Sequence, residues 1–306
     1  MIAKHLEFGD TIGIIAPASP EKEEETVKKS IDFIKSLNFN VKIGKHIYDR
    51  YGYLAGKDKD RAEDLMDMFL DPEVKMVLCC RGGYGTMRML NYVDFDEIKK
   101  HPKIFAGFSD ITTLLNQIYQ RCGIVTFHSP MATSNLKDEP TLKSFLFSIM
   151  SGTSSYTIKN PEGYPVKCPV KGTAEGTLVG GNLSLIAATM GTKYEIDTEN
   201  KILFLEDVGE EPYSIDRMLT QLELAGKLQK CQGFILGQYK NCTLPHYERS
   251  LTLDQIFEEK ILSLKKPTLK DFSSGHSYPK LTLPIGAKVK LNCSKGEIDV
   301  LQAVVK

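Results

Sequence analysis

The feature that most constrains this chain is an alternation running through its first half. Unbroken apolar runs trade places with segments whose apolar residues recur every three or four positions. Residues 11–16 (TIGIIA), 75–80 (KMVLCC), 104–108 (IFAGF) and 124–127 (IVTF) are short and apolar, and 41–43 reads as a further short strand. Between them, Val27, Ile31, Ile34 and Leu37 fall on one helical face, and residues 60–70 (DRAEDLMDMFL) and 111–120 read as further helices. Strands that are apolar throughout, rather than at alternate positions, are buried on both faces, which is the condition of a parallel sheet covered by helices. The pattern predicts a doubly wound α/β domain over residues 1–150.

The texture then changes. Residues 151–169 (SGTSSYTIKNPEGYPVKCP) are rich in Ser, Thr, Gly and Pro and carry no helical period, so they read as a connector, with the linker set at 151–172. Beyond it lie strand-like pieces at 176–178, 202–205, 233–237 and 287–291, interrupted by helices at about 212–225 and 252–264. This predicts a smaller, β-rich α+β domain over residues 173–306. In such proteins ligands commonly bind between domains, beyond the C-terminal ends of the sheet strands.

Composition excludes several function classes. With 39 Lys+Arg against 39 Asp+Glu the formal net charge is zero, so the basic excess expected of a nucleic-acid or membrane-surface protein is missing. Hydrophobic residues at 42% and charged residues at 25% describe a globular chain rather than a disordered one. The N-terminus lacks the apolar core of a signal peptide and no run of about 18 apolar residues occurs, so the expectation is a soluble cytoplasmic protein. The seven cysteines are odd in number and form no C-x-x-C pair, and the adjacent Cys79 and Cys80 alternate across a strand. Structural thiols in a reduced compartment fit that pattern.

Four local features carry chemistry. In IFAGFSD-ITTLLNQIY an apolar strand stops, a Ser-Asp pair follows, and a helix starts at once. This presents the Ser109 hydroxyl at a helix N-terminus, where backbone N–H groups favour developing negative charge. It shares the logic of a nucleophile elbow, although Ile111 breaks the G-x-S-x-G pattern; a helix cap at Ser109 or Asp110 is the plainer reading. In CRGGYGTMRML, Gly82, Gly83 and Gly85 follow a strand and let the backbone approach a ligand. The loop matches neither G-x-G-x-x-G nor a P-loop; it reads as an oxyanion loop or as a tight turn.

Glu206 and Asp207 close a strongly apolar strand, as a solvated edge or as a group that orients a histidine. His276 lies in a Gly/Ser/Pro-rich loop, FSSGHSYPKLTLPIG, where histidines are available for chemistry. Among His5, His46, His101, His128 and His246, the rival is His128, which ends a strand in TFHSP; the residues alone leave the choice open. A Ser, a Gly loop, a carboxylate and a loop His make a chemically sufficient set, in the order Ser109, Glu206, His276.

Seven segments in order, GDTIGIIAPASP, RGGYG, GFSD-ITTLL, TFHSPM, GTLVGGNLSLI, FLEDVGEEPYSIDRML and GHSYPKLTLPIG, span about residues 9–286. Together they resemble the LD-carboxypeptidase family of serine peptidases, which comprises muramoyltetrapeptide carboxypeptidases and the related microcin C immunity peptidases. The resemblance implies Ser109 as nucleophile, Glu206 as acid and His276 as base, which favours His276 over His128. It implies Gly83 and Asp110 as oxyanion donors. It implies a flavodoxin-like N-terminal domain, a small β-rich C-terminal domain with the triad assembled across the two, no metal or cofactor, and a homodimer. The implied activity is cleavage, in cytoplasmic recycling of peptidoglycan, of the bond between the L-centre of a diamino acid and a terminal D-Ala in a murein tetrapeptide. Arg81, with Gly82 beside it, is a candidate for substrate binding, including the terminal carboxylate, against the plainer reading of a surface Arg. The immunity peptidases take aminoacyl-adenylate-like substrates, in part by stacking in which a tryptophan takes part. This chain has no Trp, which leans toward the murein branch. A non-catalytic muropeptide-binding protein is the rival from another class.

Overall fold

A computed structural model describes residues 1–306. The chain divides into two compact units. The first comprises Met1–Thr153, Thr282–Gly286 and Ala303–Lys306; the second comprises Ser154–Leu281 and Ala287–Gln302.

In the first unit, β1 (Thr11–Ile15), β2 (Asn40–Ile43), β3 (Val74–Cys79), β4 (Ile104–Gly107) and β5 (Thr126–His128) form a parallel sheet in the order β2-β1-β3-β4-β5. That is the flavodoxin-like order, in which the direction of winding reverses beside the first strand. Every residue of β4 and β5 is buried, and β3 is buried except at Lys75, as the continuous apolar runs require. β2 is the exposed edge and carries Asn40 and Lys42, residues that discourage pairing with another chain. The helices are α1 (Glu24–Ser36), α2 (Asp58–Leu70), the short α3 (Thr86–Met89) and α4 (Phe95–Lys100), then α5 (Thr112–Cys122) and α6 (Glu139–Met150). α5 ends on Gly123 in the left-handed region, where a Cβ would be strained.

In the second unit, β6 (Tyr156–Lys159), β7 (Lys167–Val170), β8 (Thr173–Asn182), β9 (Lys201–Val208), β10 (Gly233–Lys240) and β11 (Thr268–Lys270) are laid down in turn. β8, β9, β10 and β11 run parallel. The chain then supplies β12 (Leu283–Ile285), which pairs antiparallel with β5 in the first unit's sheet, and returns for β13 (Lys288–Asn292) and β14 (Glu297–Val300). The second sheet has the order β6-β14-β13-β8-β9-β10-β11-β7. Its helices are α7 (Leu183–Ala188), α8 (Pro212–Leu224), α9 (Lys227–Lys230) and α10 (Leu253–Lys260).

Two sequence-based boundaries need correction. The proposed linker 151–172 holds β6 and β7, which pair with β14 and β11 at opposite edges of the second sheet. They are only four residues long, too short to show a period through the surrounding Gly and Pro. The proposed C-terminal domain 173–306 is not continuous, because residues 282–286 and 303–306 belong to the first unit. The cause is long-range pairing: β12 extends the first sheet beside β5, and Ala3 bridges Val305. No helix is long and apolar enough to cross a membrane. All seven cysteines carry free thiols, six of them buried and Cys168 half-buried.

Candidate active site

In the first unit the chemistry gathers at the C-terminal ends of β3 and β4. Ser109 follows β4 and adopts φ 64°, the left-handed region, before a single 3₁₀ turn (Ser109–Ile111) leads into α5. A Cβ in that region meets the backbone, so the conformation costs about 1–2 kcal/mol and persists only where neighbours enforce it. The turn holds the side chain of Ser109 half-exposed while Asp110 beside it is fully buried.

The Gly loop passes directly over this turn. A methyl group built on Gly82 would lie 2.8 Å from Ser109 Cβ and 3.0 Å from its Oγ, so only glycine admits the hydroxyl at that distance. Gly83 has φ 119°, and a methyl there would fall 2.3 Å from Ser19 Oγ. Ser19 holds the loop from the other side: its N–H donates to Gly82 O (3.4 Å) and its Oγ accepts from Tyr84 N–H (3.2 Å). Arg81 donates to Pro20 O (3.2 Å) and sits 3.7 Å from Glu21, so its guanidinium is already engaged.

Asp110 joins the loop to the turn. Its Oδ2 accepts the Thr86 N–H (2.8 Å), and its carbonyl accepts the Thr86 hydroxyl (2.6 Å). Burial pushes the Asp110 carboxyl upward in pKa, opposed by the Thr86 hydrogen bonds and by the Arg61 guanidinium. Arg61 is itself buried and donates to Pro17 O and Asp58.

In the second unit, Glu206 lies in β9 with its side chain fully buried. His276 Nδ1 lies 2.6 Å from Glu206 Oε2. With Nδ1–H donating to the carboxylate, the ring nitrogen left to accept a proton is Nε2, the tautomer a general base requires. The neighbouring Asp207 instead accepts Asn182 Nδ2 (3.0 Å), Ser184 N–H (2.9 Å) and Ser184 Oγ–H (2.8 Å), which fixes the start of α7. Gln238 braces the histidine loop, accepting Ser277 N–H at 2.8 Å and donating to Pro279 O at 3.1 Å. Lys280, 2% exposed, has its ammonium 5.5 Å above the Tyr278 ring. Burial pulls its pKa down to about 7, against the attraction of Glu206.

The structure thus brings Gly82, Gly83, Ser109 and Asp110 together in one unit and Glu206 with His276 in the other. His128 is fully buried in the first unit, its ring edge-on to Phe108 at 5.9 Å. Ser19, Thr86, Gln238 and Lys280 escaped the sequence reading, and only Thr86 had a signal there, as the polar residue that follows the Gly loop. A metal ion has one conceivable ligand group, His46, Asp49 and Asp60, whose ligand atoms lie within 4.8 Å of one another. His46 Nδ1 is already hydrogen-bonded to Asp49 at 2.7 Å, an exposed ion pair that needs no metal.

Comparison with known proteins places these features in a family. Models of the LD-carboxypeptidase N-terminal and C-terminal domains match residues 12–129 and 175–291. A protein of Bacillus subtilis described as a probable murein peptide carboxypeptidase is 45% identical over 95% of this chain and 92% of its own. The crystal structure of muramoyltetrapeptide carboxypeptidase from Oxalobacter formigenes superposes with a TM-score of 0.82 at 30% identity, covering 95% of this chain and 97% of that one. The microcin C7 self-immunity protein MccF in its wild-type apo state gives a TM-score of 0.91 over the whole of both chains, at 24% identity, a likeness of fold.

Proposed function

Because the chain belongs to the LD-carboxypeptidase family of serine peptidases, we propose that it hydrolyses the bond before a C-terminal D-Ala in murein tetrapeptides. The bond joins that D-Ala to the L-centre of a diamino acid. The observation that carries the reading is Ser109 itself: a non-glycine residue held left-handed at a strand-to-helix turn, with Gly82 in contact with its side chain.

Ser109 and the Glu206–His276 pair act as one triad in this reading. His276 Nε2 takes the hydroxyl proton as Ser109 Oγ attacks the carbonyl carbon, and Glu206 steadies the imidazolium that forms. The Gly83 and Asp110 N–H groups hold the tetrahedral oxyanion. As the intermediate collapses, His276 returns the proton to the departing amino group of D-Ala, leaving the shortened peptide esterified to Ser109. Water, deprotonated by His276, then cleaves the ester and regenerates the hydroxyl. Arg81 and Gly82 flank the loop as binding residues. We place the reaction in the cytoplasm, in recycling of peptidoglycan peptides, with the protein as a homodimer; the family resemblance supports this.

The test is mass spectrometry of products from a panel of tetrapeptides ending in D-Ala, with one aminoacyl sulfamoyl adenosine beside them and Ser109→Ala as control. Release of D-Ala by the wild type and none by the variant is the expected result. Turnover of the adenosine compound alone would move the protein to the immunity branch. Tight binding with no product would make it a muropeptide-binding protein, and full activity of Ser109→Ala would remove the serine mechanism.

A further inference from the structure

The two amides that hold the oxyanion belong to different segments, Gly83 to the loop after β3 and Asp110 to the turn after β4. Such donors work only when their separation is fixed to a fraction of an ångström before the charge develops. Strand pairing does not fix it, because the register of β3 with β4 ends at Leu78 and Ala106. The link beyond the sheet is a two-point clasp: Thr86 N–H to Asp110 Oδ2, and Thr86 Oγ–H to Asp110 O. One hydrogen bond is a hinge, whereas two running to the side chain and the carbonyl of Asp110 hold its Cα from two sides and limit the rotation that would re-aim its N–H. Both residues are 0% exposed, so water does not compete for these groups.

The Asp110 carboxylate feels the attraction of a buried cation that is itself bonded elsewhere. Arg61, 1% exposed, lies beneath Gly85, where a built methyl group would fall 2.6 Å from its Nη1. Asp58 binds Arg61 and also Arg88 of α3, with Arg88 Nε 3.0 Å and Nη2 3.1 Å from its oxygens. A buried carboxylate with one buried cation is costly compared with an apolar pair. What it supplies here is direction, a fixed acceptor for the first amide of α3, with Gly83 only three residues before Thr86.

Resting on the serine reading above, we propose that Thr86 and the Asp110 carboxylate are positioning residues, which set the separation of the Gly83 and Asp110 N–H donors. Their loss then falls on the transition state rather than on bound peptide.

The experiment uses the full chain with Thr86→Val, Thr86→Ser and Asp110→Ala. It measures kcat and KM on a tetrapeptide ending in D-Ala, and the inhibition constant of a peptidyl boronic acid that forms a tetrahedral adduct with the serine. Thr86→Val should lower kcat about 10- to 50-fold, less than the ~10²–10³ of losing a donor outright, with KM within about twofold. The boronate constant should rise by the same factor as kcat falls, and Thr86→Ser should restore both. Asp110→Ala keeps the backbone donor, removes the side-chain acceptor of the Thr86 N–H and should show the same split; it carries the test if Thr86→Val does not fold. Wild-type kcat in both variants, or a change in KM alone, overturns the inference. Activity surviving in Ser109→Ala overturns instead the reading on which it rests, so the two failures are separable.

Discussion

His276 Nδ1 and Glu206 Oε2 stand 2.6 Å apart, joining the C-terminal part of β9 to a loop 70 residues later in the chain. Close approach makes this possible: a methyl group on Gly275 would lie 3.0 Å from the same Glu206 oxygen, and Gly275 has φ 140°. The carboxylate is buried and cannot swing away to solvent, so it fixes both the ring orientation and the tautomer.

Glu206→Gln should therefore leave the fold intact and cost far more activity than its size suggests. The amide is isosteric, but its NH₂ face presents a donor to Nδ1 and favours the tautomer with the proton on Nε2. We expect kcat to fall by about 10³–10⁴-fold at neutral pH, the scale of losing the orienting acid in a serine triad. A fall of less than tenfold in steady-state release of D-Ala, with an unchanged circular dichroism spectrum, would show that Glu206 does not orient the base.

The left-handed Ser109 makes a prediction about stability that is independent of activity. Ser109→Ala keeps the Cβ and its strain, whereas Ser109→Gly removes both. Each should be inactive, but the glycine variant should be the more stable of the two by about 1 kcal/mol, the Cβ penalty less the extra backbone entropy of glycine. Chemical denaturation of the two variants side by side measures the difference. Equal stability would mean that the turn is relaxed as it stands.

How much of this was legible in the sequence depended on the range of the interaction. The Ser109 turn is local, a strand, two small or polar residues and a helix, and it reads directly. The parallel sheet reads from β3 and β4 because burial on both faces leaves an unbroken apolar run. β12 and β6 do not read, since each of them is held by pairing with a partner far along the chain and is too short to carry a period. The choice of His276 over His128 needed family resemblance, because a loop and the end of an apolar strand can each present a base; in the fold one meets a carboxylate and the other is enclosed beside Phe108. The burial of Lys280 and the bonds of the half-buried Gln238 to the histidine loop are properties of the assembled fold and have no signature in local composition.

Lys280 should leave a mark on the pH dependence of stability. Its pKa is about 7 in the folded protein and near 10.5 when unfolded, so between those values the unfolded chain binds the extra proton. Stability therefore rises as pH increases from about 7 to 10 and is lowest, for this group, at and below pH 7. The slope approaches about 1.4 kcal/mol per pH unit at most between those two values. In Lys280→Met this contribution disappears, so the variant's advantage over wild type should be greatest at pH 6 and shrink steadily toward pH 10. Parallel denaturation midpoints across that range would show that the ammonium is solvated or fully compensated.

The Gly82–Gly83 pair separates crowding of the nucleophile from strain in the loop. A methyl at Gly82 meets the side chain of Ser109, at 2.8 Å from Cβ and 3.0 Å from Oγ, while Gly82 itself needs no left-handed conformation. Gly82→Ala should thus displace the hydroxyl and lower kcat/KM by about 10²-fold, the cost typical of a 1 Å misplacement, while the melting temperature changes little. Gly83→Ala meets two obstacles, φ 119° and Ser19 Oγ at 2.3 Å. It should unseat the loop and lose both stability, by about 1–3 kcal/mol, and activity. Removing Ser19 Oγ in a Gly83→Ala/Ser19→Ala double variant relieves the contact with the hydroxyl oxygen but leaves the Cβ of residue 19 at 2.5 Å and the backbone strain, so it should recover only part of the lost stability. Kinetics and thermal melts on the three variants decide the point: if Gly82→Ala melts early and Gly83→Ala does not, the roles assigned to the two glycines are reversed.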